Sequence, residues 1–313
     1  MRPILLFAGA LLFASTVAYA HHPKGVEYKI FQFPKGQLPK IDGDPSDWEI
    51  VPKGYMLDGS LLKDTVMGKG QTMDPEDLAV EVTVGWSPET NRLYFLYKVK
   101  DDMFNFNFER GDIFEVVLDS DHSGGRYHSH EDVEGEVEAQ LMSTTTQNYH
   151  IFTPPAKGKA WNWVWGSQQW LIEKPWAEHA FSKYTFKMRE PGTLYLEFSI
   201  TPFNYASFRG PEYSAIHKLI EGEIVGLSWS VLDYDENDKA YEGFWNLSHH
   251  TRMDYTASLL PNFRLMPMEK KVGLRSETGT ESAEGRYASG ATASTTPNVV
   301  DVLAASPKNS GKH

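Results

Sequence analysis

Residues 226–246 read G-L-S-W-S-V-L-D-Y-D-E-N-D-K-A-Y-E-G-F-W-N. The first half alternates, with Leu227, Trp229 and Val231 on one side and Ser228 and Ser230 on the other, the period of two that a strand with a buried face requires. The strand runs into acid. Asp233, Asp235 and Asp238, with Asn237 among them, give a turn-forming loop several hard oxygens close together, as a calcium site needs. Trp245 and Asn246 close the stretch with a flat apolar ring beside an amide that both donates and accepts, the pairing a sugar ring asks for.

Outward from this stretch the same period recurs. Val80, Val82, Val84 and Trp86 face one way, S-P-E-T-N at 87–91 makes a turn, and Leu93, Phe95, Tyr97 and Val99 return, which predicts a hairpin. Phe114, Val116 and Leu118 alternate with Ile113, Glu115 and Val117, so this strand has two largely apolar faces and is expected to be central. It exits into an acidic, glycine-bearing loop, D-S-D-H-S-G-G at 119–125. Further strands are expected at 137–142, 149–152, 184–188 and 194–201, one short helix at 215–221, and a long loop at 54–78. Many short strands between Gly, Pro and Asp turns predict an all-β fold, an antiparallel two-sheet β-sandwich of jelly-roll or immunoglobulin-like form.

The ends read differently. Arg2, the apolar run 4–13 and the small-residue end Ala18-Tyr19-Ala20 make residues 1–20 a secretory signal peptide. No later run approaches the roughly 20 apolar residues of a membrane-spanning helix, so a secreted or periplasmic protein is expected. Residues 21–40 read as a polar leader, 41–268 as the folded domain, and 269–313, rich in Ser, Thr, Gly, Ala and Glu, as a disordered tail. The chain has no cysteine, so disulfides contribute nothing to its stability. Its net charge of -12 argues against nucleic acid and anionic membrane surfaces as partners and favours cations or neutral ligands.

Four motifs in order, I-D-G-D-P-S-D-W at 41–48, L-Y-F-L-Y-K-V-K-D-D at 93–102, G-D-I-F-E-V-V-L-D-S-D at 111–121 and V-L-D-Y-D-E-N-D with the following F-W at 231–245, resemble carbohydrate-binding module family 9 within the DOMON-like group. The resemblance implies a β-sandwich that binds saccharides such as glucan or xylan chain ends, with calcium holding loops in place. It also implies an aromatic binding residue near Trp245. The segment 121–176, with W-N-W-V-W-G-S-Q-Q-W at 161–170, lies outside the matching motifs and points to a separate, secreted subgroup.

Trp161, Trp163 and Trp165 recur at every second residue, so on a strand they share a face. Two readings stand for them: a stacking platform for pyranose rings with Asn162, Gln168, Gln169 or Asn246 beside it, or one side of the core. For the acids, Asp233, Asp235 and Asp238 supply part of a calcium shell or form a solvated turn, and Asp119 and Asp121 make a second candidate with Asp101 or Asp102. His122, His128 and His130 sit among Asp121, Glu131 and Asp132; an H-x-H pair on a strand puts both imidazoles on one side, a feasible transition-metal pair, and a polar surface loop is the other reading. His21, exposed as the N-terminus after cleavage, is a copper-type candidate.

No G-x-S-x-G elbow appears, cysteine nucleophiles are excluded, and the carboxylates fall into no acid and base pair by spacing, so a non-catalytic protein is expected. The leading reading is a secreted protein that grips a saccharide or polysaccharide through aromatic stacking. Its alternatives are a haem-binding electron-transfer domain, with Met103 and His249 or His250 as ligands, and a structural cell-surface module.

Overall fold

The computed structural model describes residues 23–68, 72–105, 111–128, 130, 133–152, 162–182, 187–235 and 241–269. Its strands are β1 (Glu27–Gln32), β2 (Met56–Asp58), β3 (Lys63–Asp64), β4 (Leu78–Ser87), β5 (Arg92–Asp101), β6 (Ile113–Asp119), β7 (Gln147–Phe152) and β8 (Asn162–Val164). They continue as β9 (Ala177–Phe181), β10 (Gly192–Ile200), β11 (Phe203–Tyr205), β12 (Ala215–Ile216), β13 (Ile224–Asp233), β14 (Gly243–Asn246) and β15 (Asn262–Leu265). One α-helix, α1 (Glu136–Leu141), occurs among the described residues. None of their helices is long and apolar enough to cross a membrane.

The all-β expectation holds. Among the described residues, thirteen strands join in one continuous sheet in the order β8-β7-β6-β13-β15-β1-β4-β5-β10-β9, with β14 beside β13 and β3, and β2 on β4, while β11 and β12 pair apart from it, so the expected division into two sandwiched sheets is not what the pairing gives. The sheet curls on itself, and its two halves share one core. Tyr97 of β5 stacks on Phe114 of β6 at 4.3 Å, and Tyr149 of β7 meets Phe198 of β10 edge-on at 5.8 Å. Strand β1 is the link: residues 27–30 pair with β15 and residues 31–32 with β4. Both pairings are parallel, an exception in an otherwise antiparallel sheet.

That strand corrects the leader expected at 21–40. Lys29 and Gln32 break up the apolar signal there, but Ile30 and Phe31 are buried and Phe33 packs edge-on against Trp48. The strand expected at 137–142 is α1, in keeping with the helix-favouring Glu, Ala, Gln and Leu of E-V-E-A-Q-L. The helix expected at 215–221 begins instead as β12, paired with β11. The hairpin β4–β5 forms in full register from Leu78↔Asp101 to Ser87↔Arg92. Strand β6 is central between β7 and β13, as its two apolar faces require.

The opening motif at 41–48 turns as its Asp-Gly and Asp-Pro steps demand, and Trp48 is buried beneath the sheet. What fixes the turn comes from far along the chain. The buried Glu197 carboxylate accepts from Gly43 N at 2.6 Å, Asp42 N at 3.0 Å and Trp48 Nε1 at 2.9 Å. Gly43 sits at φ +85, where a Cβ would run into the Phe181 carbonyl, so glycine is required there.

Candidate functional site

Pairing across β6 and β13 sorts the candidate residues onto two faces, because directly paired residues point the same way. Trp229↔Val116 and Val231↔Phe114 face the core, whereas Ser230↔Glu115 and Ser228↔Val117 face outward. One step beyond Val231↔Trp245 in the β13–β14 ladder lies Asp233↔Gly243, on the same inward face.

Trp245 is therefore a core residue, 2% exposed, and the expected open stacking ring is absent at this position. Gly243 makes the room for it, since a Cβ there would overlap the indole nitrogen. Asn246 is buried and committed: its amide donates to Thr65 Oγ1 at 2.7 Å, while its Oδ1 accepts from Ser248 Oγ at 2.9 Å and His250 N at 3.1 Å. Gln168 is likewise buried, donating to the Gln140 carbonyl at 2.9 Å. Neither amide faces solvent: Asn246 is bonded within local turns, and Gln168 keeps a buried Oε1 without a hydrogen-bond partner among the described residues. Trp161 lies outside the described residues.

Trp163 and Trp165 do share a face, the outward one, as their spacing predicts. Both are half-buried, and they belong to a row of five rings running Trp163, His150, Trp165, His128, Tyr255, with centroid separations of 5.1, 5.4, 4.8 and 4.7 Å. Beneath the row, Glu115 is 1% exposed, accepts from Asn148 Nδ2 at 2.7 Å and stands 3.4 Å from His150 Nε2, an ion-pair distance. Burial alone would push the Glu115 carboxyl up. The nearby His150 imidazole, the hydrogen bond from Asn148 and the adjacent Ser230 hydroxyl hold it below the usual range instead. Asp254 nearby is pushed up to about 7 by burial and then by the Glu115 charge. Sequence reading missed Glu115, His150 and Tyr255 because their common feature is a register that only the folded sheet creates.

The acidic loops assemble differently from expectation. Asp233 joins Asp101 and Asp112, all three buried, with one carboxylate oxygen from each within 4.8 Å of the others. Asp235 joins Asp77 and Asp102 in a second, more exposed trio. The 233–238 run is thus split between two clusters by the alternation of the strand end, and Asp238 lies outside the described residues. Asp119 and Asp121 sit at the opposite end of β6 from Asp112, so they cannot share a site with Asp101. Asp119 accepts from Gly124 N at 2.7 Å and Asp121 from Ser123 N at 3.2 Å, each closing its own turn.

In the inward trio Asp101 accepts from Met103 N at 2.8 Å, and Asp112 from Asn105 N at 2.9 Å and Tyr234 N at 3.2 Å. Burial pushes the Asp101 carboxyl up to about 6, and burial with the charges of Asp101 and Asp233 pushes Asp112 well above the carboxylate range. Both groups of converging metal-ligating side chains among the described residues consist of aspartates alone. His122, 128 and 130 supply no such group there, and His21 lies outside the described residues. Of the haem candidates, His249 Nε2 binds the Leu61 carbonyl at 2.7 Å and His250 Nδ1 accepts from Arg252 N at 3.1 Å, so both imidazoles are engaged within the chain.

No family model and no curated protein matches the chain. Among solved structures it is similar to a carbohydrate-binding module family 9 domain from Caldicellulosiruptor kristjanssonii in complex with cellotriose, at 14% identity, over 81% of this chain and 100% of that one, with a TM-score of 0.49. The same domain in complex with glucose gives 14% identity, 80% and 100% coverage and a TM-score of 0.44. A carbohydrate-binding candidate from Bacteroides uniformis gives 10% identity, 76% and 98% coverage and a TM-score of 0.38. The family 9 domains are the group that the four sequence motifs resemble.

Proposed function

We propose that this chain is an exported, non-catalytic saccharide-binding protein that packs pyranose faces on its outward ring row, with a calcium ion at the inward aspartate trio. The observation that carries the reading is the row itself. Two half-buried indoles flank the buried His150 ring and the row continues to the half-buried His128 and Tyr255, so apolar ring faces and polar edges lie side by side, and a sugar offers CH groups to the indoles and hydroxyls to His128 and Tyr255. The motif resemblance supports the same ligand class. Glucan and xylan fragments are accordingly the first to test.

The donor set of Asp101, Asp112 and Asp233 fits calcium. It offers hard oxygens only, and three carboxylates this close and this buried cannot all ionise unless a cation stands among them. When bound, the ion supplies the positive charge that lets all three ionise. Asp101 belongs to one half of the curled sheet and Asp112 and Asp233 to the other, so together the three hold the halves at this end. The ion has a structural role, with no part in any reaction.

The test is retention on a glycan array and on affinity gels carrying glucan and xylan. Trp165→Ala should weaken retention about tenfold, the loss of one aromatic platform worth roughly 1–2 kcal/mol. Absence of retention of the unmodified protein on every glycan rejects the reading.

A further inference from the structure

The half of the sheet that lacks the ring row has a cavity of its own, about 460 Å³, between the outward face of β4–β5–β10 and the loops at 58–60 and 72–75. That volume lies within the roughly 300–1,000 Å³ of small-molecule pockets. Register builds its floor as two cross-strand rows: Asp58↔Glu81↔Lys98, and Ala79↔Lys100↔Thr193. Its wall is set by Met73, which is buried because Gly59 has no Cβ to fend off the thioether. The cavity is thus preformed by packing and pairing.

Its four charged residues, Asp58, Glu81, Lys98 and Lys100, sum to zero but are not all paired with one another. Lys98 Nζ lies 3.1 Å from both Glu81 oxygens, a closed pair. Asp58 is turned to its own loop, where it accepts from Ser60 N at 2.9 Å and from the Ser60 hydroxyl. Lys100 is exposed and makes no ion pair among the described residues, although the charge of Asp102 at the strand end feels it. The cavity therefore offers the Lys100 ammonium outside any ion pair, the Thr72 hydroxyl, the Ser60 hydroxyl as an acceptor only, and an apolar wall from Met73 and Pro75. A phosphate, at about -1.5 to -2, would face Glu81 and Asp58 with a single cation to offset it. A monocarboxylate carries only the charge that Lys100 matches.

We propose that this cavity is a second binding site, separate from the ring row, and that it takes a uronic acid residue, its carboxylate on Lys100 and its ring against Met73 and Pro75. The probes are sodium glucuronate and glucose, titrated into the full chain by calorimetry or protein-observed NMR. Glucuronate should bind about tenfold more tightly than glucose, the scale of one charge-assisted hydrogen bond, and that preference should shrink as salt is added. Lys100→Met, at an exposed position where folding is not at stake, should erase the preference and leave glucose binding unchanged, while Trp165→Ala should leave glucuronate binding intact. Equal affinities for the two sugars, no binding of glucuronate, or a preference that survives Lys100→Met would each overturn the assignment, whatever the glycan arrays report for the ring row.

Discussion

Asp112, at the head of β6, and Glu115, three positions on, are both buried, yet they titrate in opposite directions. Asp112 points inward, where its neighbours are Asp101 and Asp233, so burial and like charge both favour the protonated acid. Glu115 points outward, where the Asn148 amide donates to it and the His150 imidazole stands 3.4 Å away, and together they outweigh the same desolvation. Depth alone therefore does not decide the state of a buried carboxyl; its partner does. One face meets its carboxylate with an imidazole and an amide from within the chain, whereas the other gathers three carboxylates with, among the described residues, no cationic side chain in the group.

The largest expected effect breaks the outward pair. Glu115→Ala leaves the buried Asn148 amide without its acceptor and the His150 imidazole without its 3.4 Å carboxylate neighbour, and should cost about 3–5 kcal/mol in urea unfolding. Adding His150→Ala should cost at least about 1 kcal/mol less than the sum of the two single changes. Strict additivity would show that the 3.4 Å approach contributes nothing.

A somewhat smaller effect tests the inward trio. Calcium at a hundred times its dissociation constant should stabilise the protein by about 2.7 kcal/mol, seen as a rise in melting temperature that a chelator reverses. Asp112→Asn should remove this response and leave the Glu115–His150 coupling as it was. An unmoved melting temperature up to millimolar calcium, the working range of weak extracellular sites, would leave the trio without its ion.

The last effect, read as a pH dependence and not at one pH, lies at the far end of β6. Burial raises the Asp119 carboxyl from 3.8 to about 7 in the folded chain. Between these values the folded state keeps a proton that the unfolded state has released, so this group's contribution to stability falls as pH rises from about 4 to 7. Asp119→Asn should flatten that fall when urea midpoints at pH 4.5 and 7.5 are compared. A slope equal to that of the unmodified protein would assign the fall to other acids, Asp254 first among them.

The features that local pattern specifies were legible before any coordinates. Alternation over 227–233 put Leu227, Trp229 and Val231 on the core face, and extended one step it puts Asp233 there too. The turn at 41–48, the 78–101 hairpin and the central place of 113–119 all follow from side-chain period and turn chemistry, which act over a few residues. The two-residue spacing of Trp163 and Trp165 likewise announced their shared face.

What the fold alone decided are the meetings between distant segments and the face each strand turns to the core. Trp245 looked like a loop-edge binding ring until β14 paired with β13 and carried it inward; Glu197 anchors a turn 149 positions away. Glu115 meets Asn148 across 33 positions, and β1, weakly patterned, became the strand that joins the two halves. The physical reason is common to all of these: period fixes which residues of a strand point together, whereas register and neighbour fix what they point at, and those are set by pairing across the whole sheet.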